Sequence, residues 1–229
     1  MTAEPVETCW SLIRGAAKGR AGDREEFVRR YLPVVRSYLR ARWRGSALAG
    51  ELEDVVQEVF LGLLREGGTL ETADSRHGAG FRGLLYGVTR NTALFVERTR
   101  ARRLKRVGDQ AFDADLSPAE EPSLSQIFDR SYALAIMREA RREMEFRARA
   151  AGERAERRVE LLRLRFEENR PVREIAAAWG MEAALVHREY AKAREEFRAA
   201  LAATVSEAER CTPAQAEREG QRLMALFGS

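Results

Sequence analysis

Residues 81 to 106, FRGLLYGVTRNTALFVERTRARRLKR, constrain this chain more than any other stretch. Apolar residues recur at Phe81, Leu84, Leu85, Val88, Phe95 and Val96, a spacing that gives a helix one face to bury. The stretch then carries Arg98, Arg100, Arg102, Arg103, Lys105 and Arg106, with no acid after Glu97. A helix that is half core and half arginine suits a phosphate backbone, because each cation that neutralises a phosphate releases a condensed counterion. A charge run by itself is more often a solvated face. Here it adjoins Tyr86, Arg90, Asn91 and Phe95, side chains that hydrogen-bond to or stack on bases. The combination points to nucleic acid, although the spacing of Phe95 fits a buried stripe equally well.

At 229 residues the chain is long enough for one large or two small domains. Its formal net charge is only +4, so the basic character is local. Residues 51 to 66 hold Glu51, Glu53, Asp54, Glu58 and Glu66 against Arg65, and residues 107 to 129 hold six acids and no base. Neighbouring segments of opposite sign suggest more than one charged partner surface, though solvated faces produce the same pattern. Cys9 and Cys211 are the only cysteines, with neither a disulfide framework nor metal spacing, which fits a reducing cytoplasm. No continuous apolar signal region opens the chain and no eighteen apolar residues run together, so a cytoplasmic protein without membrane insertion is expected. Two histidines, no glycine-rich phosphate loop, no metal-ligand cluster and no nucleophile–base arrangement argue against an enzyme. No cofactor and no metal are expected.

Strand signals are almost absent, so the expected fold class is all-α: two helical domains joined by a flexible acidic linker. Helices are predicted at 8–18, 23–44, 51–65 and 81 to about 103, making a first domain over 1–106. Pro33 predicts a kink or a restart in the second of these. Val55, Val56, Val59, Phe60, Leu63 and Leu64 face inward on the third, and a polar loop with Asp74 and His77 follows. Residues 107–130 have linker composition. The second domain, 131–203, reads as helices 131–150, 154–168, 172–179 and 183–203, followed by a C-terminal helical extension over 204–229. Thr212, Pro213 and Gln215 signal a capped final helix. Beyond it, Leu223, Met224, Leu226 and Phe227 either pack back on the domain or meet a regulator.

Residues 172–201, VREIAAAWGMEAALVHREYAKAREEFRAAL, have the form of a helix-turn-helix. Val172, Ile175, Ala176 and Trp179 make an inner face, and Gly180 sits where a tight turn needs a residue without a Cβ. The second helix repeats Val186, Tyr190, Ala193, Phe197 and Leu201 on one side and shows Ala184, His187, Arg188, Ala191 and Lys192 on the other. Such a helix would bring its N-terminal residues to base edges in a major groove. An ordinary helical hairpin would leave the same pattern.

Four stretches together resemble the bacterial sigma-70 family, and its small extracytoplasmic-function (ECF) subgroup in particular. Asp23 to Leu39, with Phe27, Tyr31 and Pro33, is similar to the opening of sigma region 2. Asp54-Val-Val-Gln-Glu-Val-Phe-Leu61 resembles region 2.2. Phe81 through Asn91 and on to Arg103 resembles regions 2.3 and 2.4, and Leu161 to Leu201 resembles region 4. The resemblance implies a factor that binds core RNA polymerase and directs initiation at particular promoters. Region 2.2 would dock on the β′ clamp helices through Asp54, Gln57, Glu58 and Leu61, although Asp54 and Gln57 could also serve as helix caps. The −10 element would be bound and melted by Tyr86, Arg90, Asn91 and Phe95, with Arg98, Arg102 and Arg103 on phosphates. The −35 element would be read from Ala184, His187, Arg188 and Lys192, with region 4 also meeting the β flap. An anti-sigma factor is a further partner the family implies.

The chain departs from the family in places. Leu84 and Leu85 stand where region 2.3 commonly carries a tryptophan, and the recognition helix opens with Glu182-Ala-Ala-Leu and carries Glu189, Glu195 and Glu196. Those three acids are expected to weaken its hold on DNA. A stand-alone helix-turn-helix regulator is the alternative function, but it gives residues 54–61 and 81–106 no purpose.

Overall fold

Helical periodicity carries directly into three dimensions. In a computed structural model of the chain, residues 9–71, 80–107, 121–209 and 211–227 are described. They form α1 (Cys9–Ala17), α2 (Ala21–Arg42), a 3-10 turn (Ala47–Glu51), α3 (Leu52–Leu64) and α4 (Gly80–Val107). Then come α5 (Glu121–Ala151), α6 (Glu153–Phe166), α7 (Val172–Ala178), α8 (Ala183–Glu209) and α9 (Pro213–Ala225). No strand occurs among the described residues, so the fold is all-α. Asp74, His77 and residues 108–120 of the acidic segment lie outside the described residues. The chain divides into two compact units, one of Glu7–Ala135 with Ala208–Arg210, the other of Ile136–Glu207 with Cys211–Gly228.

The first unit is organised by α2. Phe27, Tyr31, Val34, Val35, Tyr38 and Leu39 recur at helical spacing and are fully buried. Phe27 and Tyr31 meet Phe81 of α4 with ring centroids 5.8 and 4.8 Å apart, and Phe60 of α3 lies edge-on to Phe27 at 6.1 Å. Each such pair contributes about 0.5–1.5 kcal/mol beyond the area it buries. Arg24 fastens two helix ends, donating from Nε to the Ala16 carbonyl at 3.1 Å and from Nη2 to the Leu64 carbonyl at 2.9 Å. Those carbonyls belong to last turns, where no intrahelical donor remains. The expected restart at Pro33 does not occur, since α2 is one helix over Ala21–Arg42. Pro33 is exposed, so the carbonyl that loses its partner can turn to water, while the seam on the other face holds the helix together.

Helix α5 begins at Glu121, ten residues ahead of the expected start. Leu124, Phe128 and Tyr132, four residues apart, are buried within the first unit. Phe128 stands edge-on to Tyr38 and Tyr86 at 6.2 and 5.1 Å, and Asp129 accepts from Arg82 Nε at 3.0 Å. In the same unit the Tyr132 hydroxyl donates to Glu209 at 2.7 Å, on a turn by which α8 outruns its expected end.

The second unit has its own core of Leu161, Leu164, Val172, Ile175, Ala176 and Val186, flanked by Trp179, Met181 and Tyr190. Helix α7 stops at Gly180, whose φ is +62°. The amides of Gly180 and Met181 donate to the carbonyls of Ala177 and Ala176 at 3.2 and 2.9 Å, the paired bonds of a Schellman motif. Helix α9 carries the predicted capping box between Thr212 and Gln215. It packs back through buried Ala216, Gly220 and Leu223, with Gly220 facing Leu201 of α8.

Gly15 of α1 lies so close to α2 that a methyl there would overlap the Asp23 carboxylate. Gly15→Ala is therefore expected to destabilise the first unit by about 1–3 kcal/mol, as overpacking does. Denaturant unfolding measures it, and an unchanged midpoint would contradict the close approach.

Candidate functional site

Helix α3 sorts its residues by face. Val55, Val56, Val59, Phe60 and Leu63 are buried, while Asp54, Gln57, Glu58 and Leu61 are exposed, Leu61 to 62%. The exposed four follow at i, i+3, i+4 and i+7, so they form a single patch. Capping does not explain them: the helix begins at Leu52 behind Glu51, and Asp54 sits inside the first turn. The patch borders a shallow groove of about 940 Å³ between α2 and α3, walled by Val28, Leu32, Val56 and Leu61.

Helix α4 separates residues that the sequence groups together. Its core seam advances four at a time through Phe81, Leu85, Thr89 and Ala93, all buried. Thr89 is satisfied there by donating to the Leu85 carbonyl at 2.7 Å. Leu84, Val88 and Val96, expected in the core, are only half-buried, and Phe95 is 61% exposed. Asn91, Phe95, Arg98 and Arg102 form one outward stripe at spacings of four, three and four. Leu84 and Val88 extend that stripe toward the N-terminus, two positions that sequence reasoning assigned to the core. Their alternation of three and four was the available signal, since an outward stripe shows the same period as a buried one. Tyr86 lies about 180° around the helix from Phe95 at 3.6 residues per turn. It is half-buried, edge-on to Tyr38 at 5.7 Å. Arg90 is half-buried, whereas Arg103 is exposed beside the stripe. The side chains of Lys105 and Arg106 lie outside the described residues.

Inward-facing charges hold the basic end of α4. Arg100 pairs with Glu51 of the 3-10 turn. Glu97 accepts Arg42 Nε at 2.7 Å and Nη2 at 3.0 Å on its two oxygens, and Trp43 Nε1 at 2.8 Å.

On α8 of the second unit, Ala184, His187, Arg188 and Lys192 are all exposed on one face, with Arg173 of α7 also exposed. The acids divide. Glu189 accepts from Arg154 Nε at 3.0 Å and from Arg158 Nη1 at 3.3 Å, and Glu196 takes Arg158 Nε at 2.8 Å. Both are turned toward α6, and only Glu195 is exposed among the three. Two of the three acids expected to oppose DNA are therefore already paired. The hydrogen bond from Arg154, then that from Arg158, holds the Glu189 carboxyl below its ordinary pKa. The Glu196 carboxylate likewise raises that of Arg158.

A family model described as Sigma-70 region 2 matches residues 27–106. Over that segment the chain is similar to sigma-70 region 2. The match runs from the first aromatic of the α2 seam to the basic end of α4, less than half of the chain, and α1 and α5 lie outside it. No curated protein matches the chain. Within the matched segment, the α3 patch and the α4 stripe are separate outward surfaces of one helical bundle. No group of metal-binding side chains occurs among the described residues, and none of their helices is long and apolar enough to cross a membrane.

Because the pKa of Glu189 is depressed on folding, its stabilising contribution is present above the unfolded carboxylate value and is lost as pH falls through the folded value. Helix α8 is expected to lose protection on acidification through that range. Glu189→Gln should be less protected at neutral pH and respond less to acid, as hydrogen exchange of the α8 amides will read.

Proposed function

We propose that the protein is a sigma factor of the ECF type. It binds core RNA polymerase, opens promoter DNA at the −10 element and reads the −35 element with its second unit. The observation that carries this reading is the presence, within the region 2 match, of two outward surfaces of different chemistry. One is acidic and amide-bearing with an exposed leucine, suited to a protein partner. The other ends in cations, suited to a nucleic-acid strand.

Asp54, Gln57, Glu58 and Leu61 dock on the β′ clamp helices, with Leu61 supplying apolar area and the carboxylates choosing a basic partner. On α4, Arg98, Arg102 and Arg103 take phosphates, and Asn91 meets a base edge. Phe95 stacks on an exposed base. Stacking contributes about 1–3 kcal/mol per base, enough to offset much of the few kcal/mol needed to unstack one. Leu84, where the family commonly carries a tryptophan, and Val88 lie on the same stripe and act as aliphatic wedges, a role apolar side chains fill between base steps elsewhere. Tyr86 and Arg90 support the stripe from behind.

In the second unit, His187, Arg188 and Lys192 face the groove and backbone, and Ala184 lets the helix approach closely. The same unit meets the β flap. An anti-sigma factor, where one exists, would compete for these surfaces, and the protein acts in the cytoplasm.

Reconstitution with core enzyme and a promoter library tests this function: promoter-dependent transcripts are expected, and an inert mixture at low salt overturns it. Asp54→Lys with Glu58→Lys should abolish core binding without unfolding the chain, measured by co-elution. Arg102→Ala with Arg103→Ala should weaken promoter binding and flatten its dependence on log salt by about 0.9 per lost phosphate contact. An unchanged slope would remove both arginines from the phosphate interface.

A further inference from the structure

The four-residue seam of α4 has a fifth rung. After Phe81, Leu85, Thr89 and Ala93 comes Glu97, and no residue from 98 to 103 is buried. Among the described residues, Ala93 is thus the last buried apolar side chain of α4, about one turn before the arginine run. At that point the carboxylate of Glu97 receives both arms of the Arg42 guanidinium and the Trp43 indole N–H. The Arg42 side chain is only 2% exposed, and its Nη1 also donates to the Tyr38 hydroxyl at 3.3 Å.

From this geometry we infer that Glu97 is a positioning residue for nucleic-acid binding. It fixes the rotation of α4 about its own axis where the core stops, so that Phe95, Arg98 and Arg102 face outward together. The inference rests on the function proposed above and names a residue of this chain that makes it possible. An apolar side chain at position 97 would fill space but give no direction. A carboxylate gripped through both oxygens, by two donors of a planar fork and a third from an indole, resists turning. It also supplies a two-oxygen counter-charge to the buried Arg42 guanidinium. The second brace, Arg100 to Glu51, is more exposed and so more easily screened by salt. Helix α4 advances about 100° per residue, so slippage by a single position would carry Phe95 and Arg98 off the strand.

The test uses the full-length chain bound to core enzyme, with a promoter fragment selected by the wild-type protein. Two variants are compared, Glu97→Gln and the charge-balanced Arg42→Gln/Glu97→Gln. The double variant carries the test where loss of the Glu97 carboxylate beside Arg42 prevents folding of the single one. Both are expected to bind core enzyme as the wild type does, to bind the promoter at least tenfold more weakly, and to show a shallower salt slope. The indole N–H resonance of Trp43 should also move in Glu97→Gln. A variant that melts at a lower temperature yet binds promoter with wild-type affinity and slope, while fully folded, would reduce Glu97 to a structural brace and overturn the proposal. Absence of a wild-type complex would overturn the sigma-factor reading and this proposal with it, which separates the two failures.

Discussion

A guanidinium taken out of water at the end of α2 sets the terms for the whole first unit. Burying a cation costs several kcal/mol unless the geometry of its partners is good. Arg42 finds such geometry with Glu97 on α4 and Tyr38 one turn back on its own helix. The middle of α4 therefore belongs to α2 as firmly as its aromatic beginning does. The aromatic contacts of Phe27, Tyr31 and Phe81 hold one end of the pairing by area, and the ion pair holds the other by direction. Between them, Thr89 and Ala93 continue the buried seam of α4.

The face of α3 was legible in the sequence except at Leu64, expected inward but half-buried, since a valine-rich stripe shows which side is wet. Helix α4 was legible as a helix but not as a set of faces. Leu84, Val88 and Phe95 are apolar and helically spaced, and the same period arises whether such residues meet a core or await a base. The true seam hides behind Thr89, Ala93 and Glu97, which a hydrophobic pattern cannot register. The start of α5 was obscured differently. Pro122, serines and acids around Leu124 and Phe128 give the stretch a linker's composition, yet three apolar residues four apart suffice once Tyr38 and Tyr86 offer a surface. At Pro33, where a kink or a restart was expected, the restart does not occur, because an exposed proline flanked by a buried seam need not break its helix.

Charge was harder to read than hydrophobicity, for a reason visible on α8. Glu189, Glu195 and Glu196 look equivalent in a string of letters. In space, Arg154 and Arg158 of α6 claim two of them, leaving His187, Arg188 and Lys192 to define the outer face. Arg158 plays the part in the second unit that Arg42 plays in the first: its side chain is 8% exposed and bridges carboxylates on α8.

In both units some acids turn inward onto buried arginines, Glu97 in the first and Glu189 and Glu196 in the second, while Glu195 stays outside with the cations. That arrangement explains how a chain of net charge +4 can present strongly cationic surfaces. Inward carboxylates are neutralised at short range, so within a Debye length of the outer face the cations dominate the field. The α3 patch inverts the pattern, leaving Asp54 and Glu58 exposed where a phosphate backbone would be repelled. One bundle then carries two surfaces that cannot exchange partners: an acidic one that DNA avoids, and a cationic one that a basic protein helix avoids. Selectivity of that kind needs no additional contacts, only the rotation of α3 and α4 that the buried seams and the Glu97 pair impose.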